Sequence, residues 1–437
     1  MRGFNASSAG CSAGQHSPVA QASSFPSAVA PSVGPSSAQS PSPSSPHPTP
    51  WTPPSEDPTS AQDLQQLASL VDTCAGRWNA EGNTKRLGDV LGRAATLHAA
   101  ASPARAKAKA YGDLLDRRRE TLLNAFQPTL RVLDAPSCLA LLTVCVASRM
   151  MWRDLAGQLL ERLSAECGPE GGGEAALQAC PPQALAAVLV ACATLGHKQP
   201  VLSGLAAEEC ARRQFAGFDA MALADTAWAM AKLRRKDPAW FGPLVEAAGK
   251  ADGPMGQGVS AKALFLTWYA LARVQHVPAS GALLERTAEA AEALRSSASP
   301  MQAANLLWAL STLGLNEERI VDALAGRLGD QLAKDPSRMK VADVCQALEA
   351  LAVMGPEVLS RHSGLVEGLL REAERRWDAG SGSRGARTRA LDRGDLEGLW
   401  VVQRALTSLG GDLQHVLGAG EGREGSLLEA ARVAAKA

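Results

Sequence analysis

Apolar side chains recur through residues 134–437 at the spacing of amphipathic helices. One stripe stands at i, i+4, i+7 and i+10 and comprises Leu223, Ala227, Met230 and Leu233. An equivalent stripe comprises Ala303, Leu307, Leu310 and Leu313. This spacing places the apolar groups on one face of a helix, and the sequence contains no alternating runs typical of strands. The pattern predicts an all-α fold.

A short phrase closes the first helix of each unit and defines a repeat. Its copies read LVACATLG, AWAMAKLR, WYALARVQ, LWALSTLG, LEALAVMG and QRALTSLG, and they end at Gly196, Arg234, Gln275, Gly314, Gly355 and Gly410. The copies end 38 to 41 residues apart, except for a final interval of 55 that contains an insert. A second amphipathic stretch follows the phrase, as at 278–294 and 316–334. Because such a hairpin buries its apolar face only against neighbours, we expect a right-handed α-solenoid of about six to seven hairpins.

Small residues occupy two fixed positions within the phrase. The first position holds Ala191, Ala229, Ala270, Ala309, Ala350 and Ala405. The second, two residues later, holds Ala193, Ala231, Ala272, Ser311, Ala352 and Thr407. Small side chains let helix axes approach at the lower end of the usual range of about 8–10 Å. We interpret these positions as packing residues.

The composition divides the chain into three parts. Residues 1–60 are rich in Ser and Pro and poor in large aliphatic groups, which predicts a disordered tail. No acidic residue precedes Glu56, as in an organelle transit peptide, although a plain low-complexity extension stays an open alternative. Residues 61–133 are predicted to form a helical N-terminal region or cap. Residues 134–437 are predicted to hold the repeats, with loop inserts near 168–174 and 379–394.

Charge and cysteine content narrow the function classes. With 44 basic and 44 acidic side chains, any nucleic-acid surface must come from local clustering of Lys and Arg. The nine cysteines form no CxxC pair, and several lie among Ala and Leu, which favours free buried thiols and a reducing compartment. No run of about 18 apolar residues is present, so no membrane insertion is expected.

Sequence signatures of catalysis are missing. The GPEGGGE segment lacks the Lys and Ser/Thr of a phosphate-binding loop, and the seven histidines form no HExxH motif. No kinase-like HRD or DFG phrase occurs. We therefore expect no enzymatic activity, no catalytic residue, no metal and no cofactor.

The helix face outside the apolar stripe carries the candidate binding residues. They are Asp225, Trp228, Lys232, Tyr269, Arg273, Asn305, Trp308, Thr312, Gln346 and Glu349, with Arg234, Arg235 and Lys236 in the turn after one phrase. Helical-repeat RNA binders read bases with a few side chains per repeat, and clustered Lys and Arg neutralise phosphates. The alternatives are that the Trp residues pack against the adjacent hairpin and that the charged groups are a solvated face.

The phrases LADTAWAMAKL (223–233) and AANLLWALSTLG (303–314) resemble the octotricopeptide repeat proteins and the related FAST-kinase-like, RAP-associated proteins. The resemblance covers residues 180–410. It implies an α-solenoid that binds single-stranded organellar RNA in the mitochondrion or chloroplast and supports RNA processing, stability, translation or ribosome assembly. Ribosomal or RNA-processing proteins are the partners that it implies. The alternative is a protein-binding scaffold of the HEAT or armadillo type that binds no RNA.

Overall fold

The computed structural model of the protein describes residues 57–100, 130–147, 153–167, 173–196, 200–256, 258–381, 391, 393–408 and 427–436. Within these ranges every regular element is helical, which confirms the predicted all-α class. Two short 3-10 helices span Pro58–Ser60 and Pro336–Arg338. The described α-helices are α1 Leu64–Ala80, α2 Thr84–Ala100, α3 Ala135–Ala147, α4 Arg153–Glu166, α5 Gly173–Ala179, α6 Pro182–Leu195, α7 Pro200–Arg212, α8 Ala220–Lys232, α9 Pro238–Gly249, α10 Ala261–Val274, α11 Ala282–Glu289, α12 Ala291–Ser297, α13 Pro300–Thr312, α14 Glu318–Lys334, α15 Val341–Met354, α16 Pro356–Arg361, α17 Ser363–Ser381, α18 Arg393–Ser408 and α19 Leu427–Lys436.

All the described α-helices except α1 and α16 pack in two rows. In the first row, each helix contacts the next in the order α2, α3, α6, α8, α10, α13, α15, α18 and α19. In the second row, α4 and α5 contact α7, α7 contacts α9, α9 contacts α11, α11 and α12 contact α14, and α14 contacts α17. Buried apolar side chains of both rows form one hydrophobic cluster. The repeated phrase therefore marks successive helices of the first row.

Several sequence boundaries can be compared with the described residues. The predicted tail lies outside them except for its last residues, which include Pro58–Ser60. The described part of 61–133 contains α1 and α2, while 101–129 and most of the two predicted inserts lie outside. The stretch at 316–334 forms α14, but the stretch at 278–294 forms two helices that meet at Ala290. No Gly or Pro marks that break, so the pattern indicated one continuous stretch.

Local signals explain where first-row helices begin. The Asp219 carboxylate accepts a hydrogen bond from the Ala222 amide at 2.7 Å, and Ser260 caps α10 through the Ala263 amide at 3.2 Å. Ser299 and Gln302 form a reciprocal capping box at α13. These side chains satisfy amide groups that the first helical turn leaves without an intrahelical acceptor.

Four first-row helices, α6, α8, α10 and α13, are followed by a left-handed residue at the last position of the phrase. Gly196, Arg234, Gln275 and Gly314 have φ values of 63°, 58°, 60° and 68°. In three of these turns the next amide bonds to a carbonyl five residues earlier, as from Arg235 to Met230 at 3.1 Å. This is the Schellman arrangement, which closes a helix and reverses the chain. The last position of the phrase therefore recurs because each of these helix ends requires a residue in the left-handed conformation.

The first alanine position is the packing site that the pattern predicts. Ala191, Ala229, Ala270, Ala309 and Ala350 are fully buried, whereas Ala405 in α18 is half-buried. Of the predicted apolar stripes, all members are buried except Leu233, which is half-buried. Absence of a larger side chain at these positions allows consecutive first-row helices to pack closely.

Four arginines in or directly after second-row helices donate hydrogen bonds to backbone carbonyls just before the first-row helix that precedes them in the chain. Arg162 donates to the Leu133 carbonyl at 2.9 Å, and Arg327 donates to the Ala298 carbonyl at 2.6 Å. Arg213 and Arg376 make the same link to the carbonyls of Cys180 and Met339 at 2.8 and 2.7 Å. Each accepting carbonyl lies two residues before a first-row helix. We call these four contacts the arginine clasps.

Two clasps include a buried glutamate. Glu209 is 5% exposed and pairs with Arg212 and Arg213, while Glu372 is 6% exposed and pairs with Arg375 and Arg376. Hydrogen bonds from Arg212 and Arg213 hold the pKa of Glu209 below its ordinary value. These carboxylates are thus ionised partners that orient the clasp arginines.

The described cysteines form no disulfide with one another, and all but Cys167 are buried. Burial raises the pKa of Cys138, Cys145, Cys192 and Cys210 to about 12, so the neutral thiol predominates at neutral pH. In the ranges that the structure describes, no helix is both long and apolar enough to cross a membrane.

Candidate nucleic-acid interface

Three aromatic side chains lie at equivalent positions on consecutive first-row helices. Trp228 in α8, Tyr269 in α10 and Trp308 in α13 each precede the buried alanine of the phrase by one residue. All three are half-buried and pack against the core with part of the ring exposed. The rings of Tyr269 and Trp308 are 5.6 Å apart between centroids, with planes at 44°. We call this set the aromatic stripe.

A lysine covers the first member of the stripe. The Lys232 ammonium lies 4.7 Å from the centroid of the Trp228 ring, within the range of a cation–π contact. Partial desolvation of the ammonium group, and then the positive charge of Arg153, lowers the pKa of Lys232. Arg153 is the first residue of α4 and is exposed, so two cationic groups from different hairpins lie near each other. Sequence reasoning missed Arg153, because no repeat position links it to Lys232.

The basic cluster in the turn after α8 has two exposed members and one engaged member. Arg234 and Lys236 are exposed to solvent. Arg235 instead donates to the Pro200 carbonyl and the Ser203 hydroxyl of α7, each at 3.2 Å. Arg235 therefore links two neighbouring hairpins, whereas Arg234 and Lys236 project from the turn.

Polar residues connect α13 and α15 on the same face. The Asn305 amide donates to the Met301 carbonyl at 2.7 Å, and Gln346 donates to the Asn305 amide oxygen at 3.3 Å. Both are half-buried, as is Asp225 at the equivalent position of α8. Arg273 and Thr312 are exposed at the ends of α10 and α13.

Glu349 has a different environment from the aromatic residues whose position it shares. A Cβ placed on Gly398 of α18 would lie 3.0 Å from the Glu349 carboxylate, so Gly398 provides the space for this side chain. Burial, and then the charge of Asp395, raises the pKa of Glu349. The carboxylate is thus packed between α15 and α18.

The structure brings three pairs of the predicted residues into contact, namely Lys232 with Trp228, Tyr269 with Trp308, and Gln346 with Asn305. The aromatic stripe offers ring faces for stacking, Lys232 and Arg273 offer positive charge beside it, and Asn305 with Gln346 offers amide groups. Arg235 and Glu349 are engaged by neighbouring helices. Among the described residues, no group of three or more His, Cys, Asp or Glu side chains is placed to hold a metal ion.

Comparisons with known proteins add no relative. No protein-family model matches the chain, and no curated protein matches it. The resemblance to octotricopeptide and FAST-kinase-like repeats therefore stays a prediction based on the residues of the repeated phrases.

Proposed function

We propose that this protein binds single-stranded RNA across the first-row face. The supporting observation is the aromatic stripe on α8, α10 and α13 with Lys232 and Arg273 beside it. Stacking of a base on an aromatic ring contributes about 1–3 kcal/mol, and cationic groups beside the rings neutralise the strand. Unpaired bases are accessible for such stacking, whereas bases inside a duplex are not.

The proposal includes a right-handed α-solenoid of about six to seven hairpins as the scaffold. Consecutive contacts along both rows and the recurring left-handed helix ends support it. In such an array each hairpin contacts mainly its neighbours, which leaves one extended face for a linear ligand.

The cellular setting in this proposal comes from the resemblance and from the composition of residues 1–60. We propose that the RNA is organellar, that the protein acts in the mitochondrion or chloroplast after import on an N-terminal transit peptide, and that it supports RNA processing, stability, translation or ribosome assembly. Ribosomal or RNA-processing proteins are its proposed companions, and no catalytic step is assigned to the chain.

Titration of the full chain with single-stranded RNA over a range of salt concentrations tests this function. We expect affinity to fall steeply as salt rises, because each neutralised phosphate releases counterions. Trp228→Ala and Trp308→Ala should each weaken binding by about 1–3 kcal/mol while the helical circular dichroism spectrum is retained. A salt-independent affinity, or no binding at low salt, would contradict RNA binding. If the Trp variants lose their helical spectrum instead, these rings are core residues.

A protein-binding scaffold of the HEAT or armadillo type is the second candidate. Three exposed valines lie on the last three first-row helices, namely Val353 at 54%, Val401 at 40% and Val433 at 55% exposure. Exposed apolar groups on adjacent helices favour a protein partner. Under this alternative, capture of a defined partner by the full chain would persist after ribonuclease treatment.

A further inference from the structure

We propose that contacts to the phosphate backbone are confined to the C-terminal ends of α8 and α10 and the turns after them, and do not continue along the remaining helices. This inference rests on the proposed RNA binding and specifies where on the molecule it occurs. Its basis is a change in chemistry along the edge where first-row helices end, which we call the turn edge.

Equivalent positions of the turn edge can be compared directly, because each is counted from the buried alanine of its own helix. We take the residues three, five and seven places after that alanine. They are Lys232, Arg234 and Lys236 after α8, Arg273, Gln275 and Val277 after α10, Thr312, Gly314 and Asn316 after α13, and Val353, Gly355 and Glu357 after α15.

The charge at these positions changes steadily along the chain. At these three positions, α8 with its turn carries three cationic side chains, α10 with its turn carries one, α13 with its turn carries none, and α15 with its turn carries one carboxylate. All of these residues are exposed except Gly355, which is half-buried. Since the helices contact one another in this order, the turn edge passes from basic through neutral to acidic. A polyanion is therefore attracted to its α8 and α10 end.

Ion pairs strengthen this asymmetry. Beyond α13, Arg319 pairs with Glu317 at 3.1 Å, and Arg361 pairs with Glu318 at 3.0 Å. The positive charge of these arginines is thus balanced locally by carboxylates. Near α8, by contrast, the exposed side chain of Lys232 is repelled by the like charge of Arg153 in α4. Like charges near each other favour a bound anion, because an anion relieves their repulsion.

The aromatic stripe also ends before α15. It runs from Trp228 through Tyr269 to Trp308, and Glu349 occupies the next equivalent position on α15. A half-buried carboxylate at that point offers neither a stacking surface nor attraction for phosphate. Aromatic rings for base stacking and cationic groups for phosphate neutralisation are thus both present on α8 and α10 and both absent at the equivalent positions of α15. The proposed ligand site therefore lies across α8, α10 and α13.

Affinity measurements on the full chain with a labelled polyuridine strand test the confinement. The test variant is Lys232→Ala/Arg273→Ala. The matched controls are Arg404→Ala, an exposed arginine of α18, and Glu357→Gln, which shares the position of Lys236. We expect the double variant to reduce the slope of log affinity against log salt by about 1.4, since each single-strand phosphate contact contributes about 0.7. Both controls should retain the slope and affinity of the unmodified chain.

The outcomes separate this inference from the proposed function. If polyuridine binds but Arg404→Ala lowers the slope, or Glu357→Gln raises affinity, phosphate contacts extend along the array and the confinement is wrong while RNA binding stands. If polyuridine binds and the double variant keeps its slope, the confinement is also wrong. If the unmodified chain binds polyglutamate but no RNA at low salt, the proposed function itself fails. Circular dichroism of every variant verifies that the helices are retained.

Discussion

Arg234 adopts a backbone conformation that its side chain disfavours. The equivalent residues Gly196 and Gly314 are glycines, which reach positive φ without a steric penalty. For other L-residues the left-handed conformation costs roughly 1–2 kcal/mol. Arg234 is therefore present despite a local cost, which is expected where a side chain has a role in binding.

Replacement of Arg234 should separate stability from binding. We expect Arg234→Gly to raise the free energy of unfolding by roughly 0.5–1 kcal/mol, because relief of strain exceeds the entropy that glycine adds to the unfolded chain. The same variant should bind RNA more weakly because it lacks a cationic group. Urea unfolding and RNA titration measure the two effects.

The control for this prediction is Gln275→Gly. Gln275 has the same left-handed conformation, with φ of 60°, and carries no charge. Its replacement should raise stability by a similar amount and leave RNA affinity unchanged. A loss of stability in both variants would show that these positions do not store backbone strain.

Individual residues differ in how far the sequence predicts their environment. Spacing predicted the buried alanines and leucines, because helical periodicity alone decides which face they occupy. Helical periodicity also accounts for the difference between Trp268, which is fully buried, and Trp228, which is half-buried. Trp268 precedes the alanine of its phrase by two residues and Trp228 by one, so the two side chains leave their helices in different directions. The engagement of Arg235 by Pro200, or of Glu349 by α18, depends on contacts between hairpins that no local pattern contains.

At the scale of helices, the arginine clasps decide how a hairpin closes. Two of them share the spacing Glu-x-x-Arg-Arg, at Glu209 to Arg213 and at Glu372 to Arg376. In the structure the second arginine of each motif is largely buried, because it reaches carbonyl groups of the preceding loop. The recurring motif was a visible signal, but its acceptors are backbone groups that a sequence does not mark.

The two arginines of the second motif provide a matched pair. Arg376 is 16% exposed and donates to the carbonyls of Met339 and Pro336, both at 2.7 Å, whereas Arg375 is 62% exposed and pairs with Glu372. We expect Arg376→Ala to lower the free energy of unfolding by about 1–3 kcal/mol, because carbonyls and a buried carboxylate lose a partner. Arg375→Ala should cost less than about 1 kcal/mol, as for other exposed ion pairs. Equal losses in urea unfolding would contradict the clasp.

Helix ends illustrate the same division between local and distant causes. Four copies of the phrase predicted the end of a first-row helix from its closing residue, because the left-handed conformation at Gly196, Arg234, Gln275 and Gly314 is a local backbone requirement. The separation of α11 from α12 at Ala290 has no such local mark. The order in which helices contact one another likewise depends on packing along both rows.

At the scale of the whole molecule, the net charge of zero does not describe how charged side chains are distributed along the turn edge. The 44 basic and 44 acidic side chains balance over the chain, yet equivalent positions of the turn edge change from three cations to one carboxylate. Composition therefore could not indicate where the proposed RNA would bind. Alignment of the repeats and knowledge of which helices are neighbours were both needed.

The rows also predict how the molecule opens. Leu160 in α4 is fully buried, so Leu160→Ala should remove about 2–5 kcal/mol of local stability by creating a cavity. If contacts run mainly between neighbouring hairpins, amide hydrogen exchange should accelerate in α3, α4, α6 and α7 and stay unchanged in α13 to α17. Leu348 in α15 is also fully buried, and Leu348→Ala serves as the matched variant at the other end of the rows. It should accelerate amide exchange in α13 to α18 and leave exchange in α3 and α4 unchanged. Acceleration throughout the chain from either variant would indicate a single cooperative globule, and the extended face required for a linear ligand would then have no structural basis.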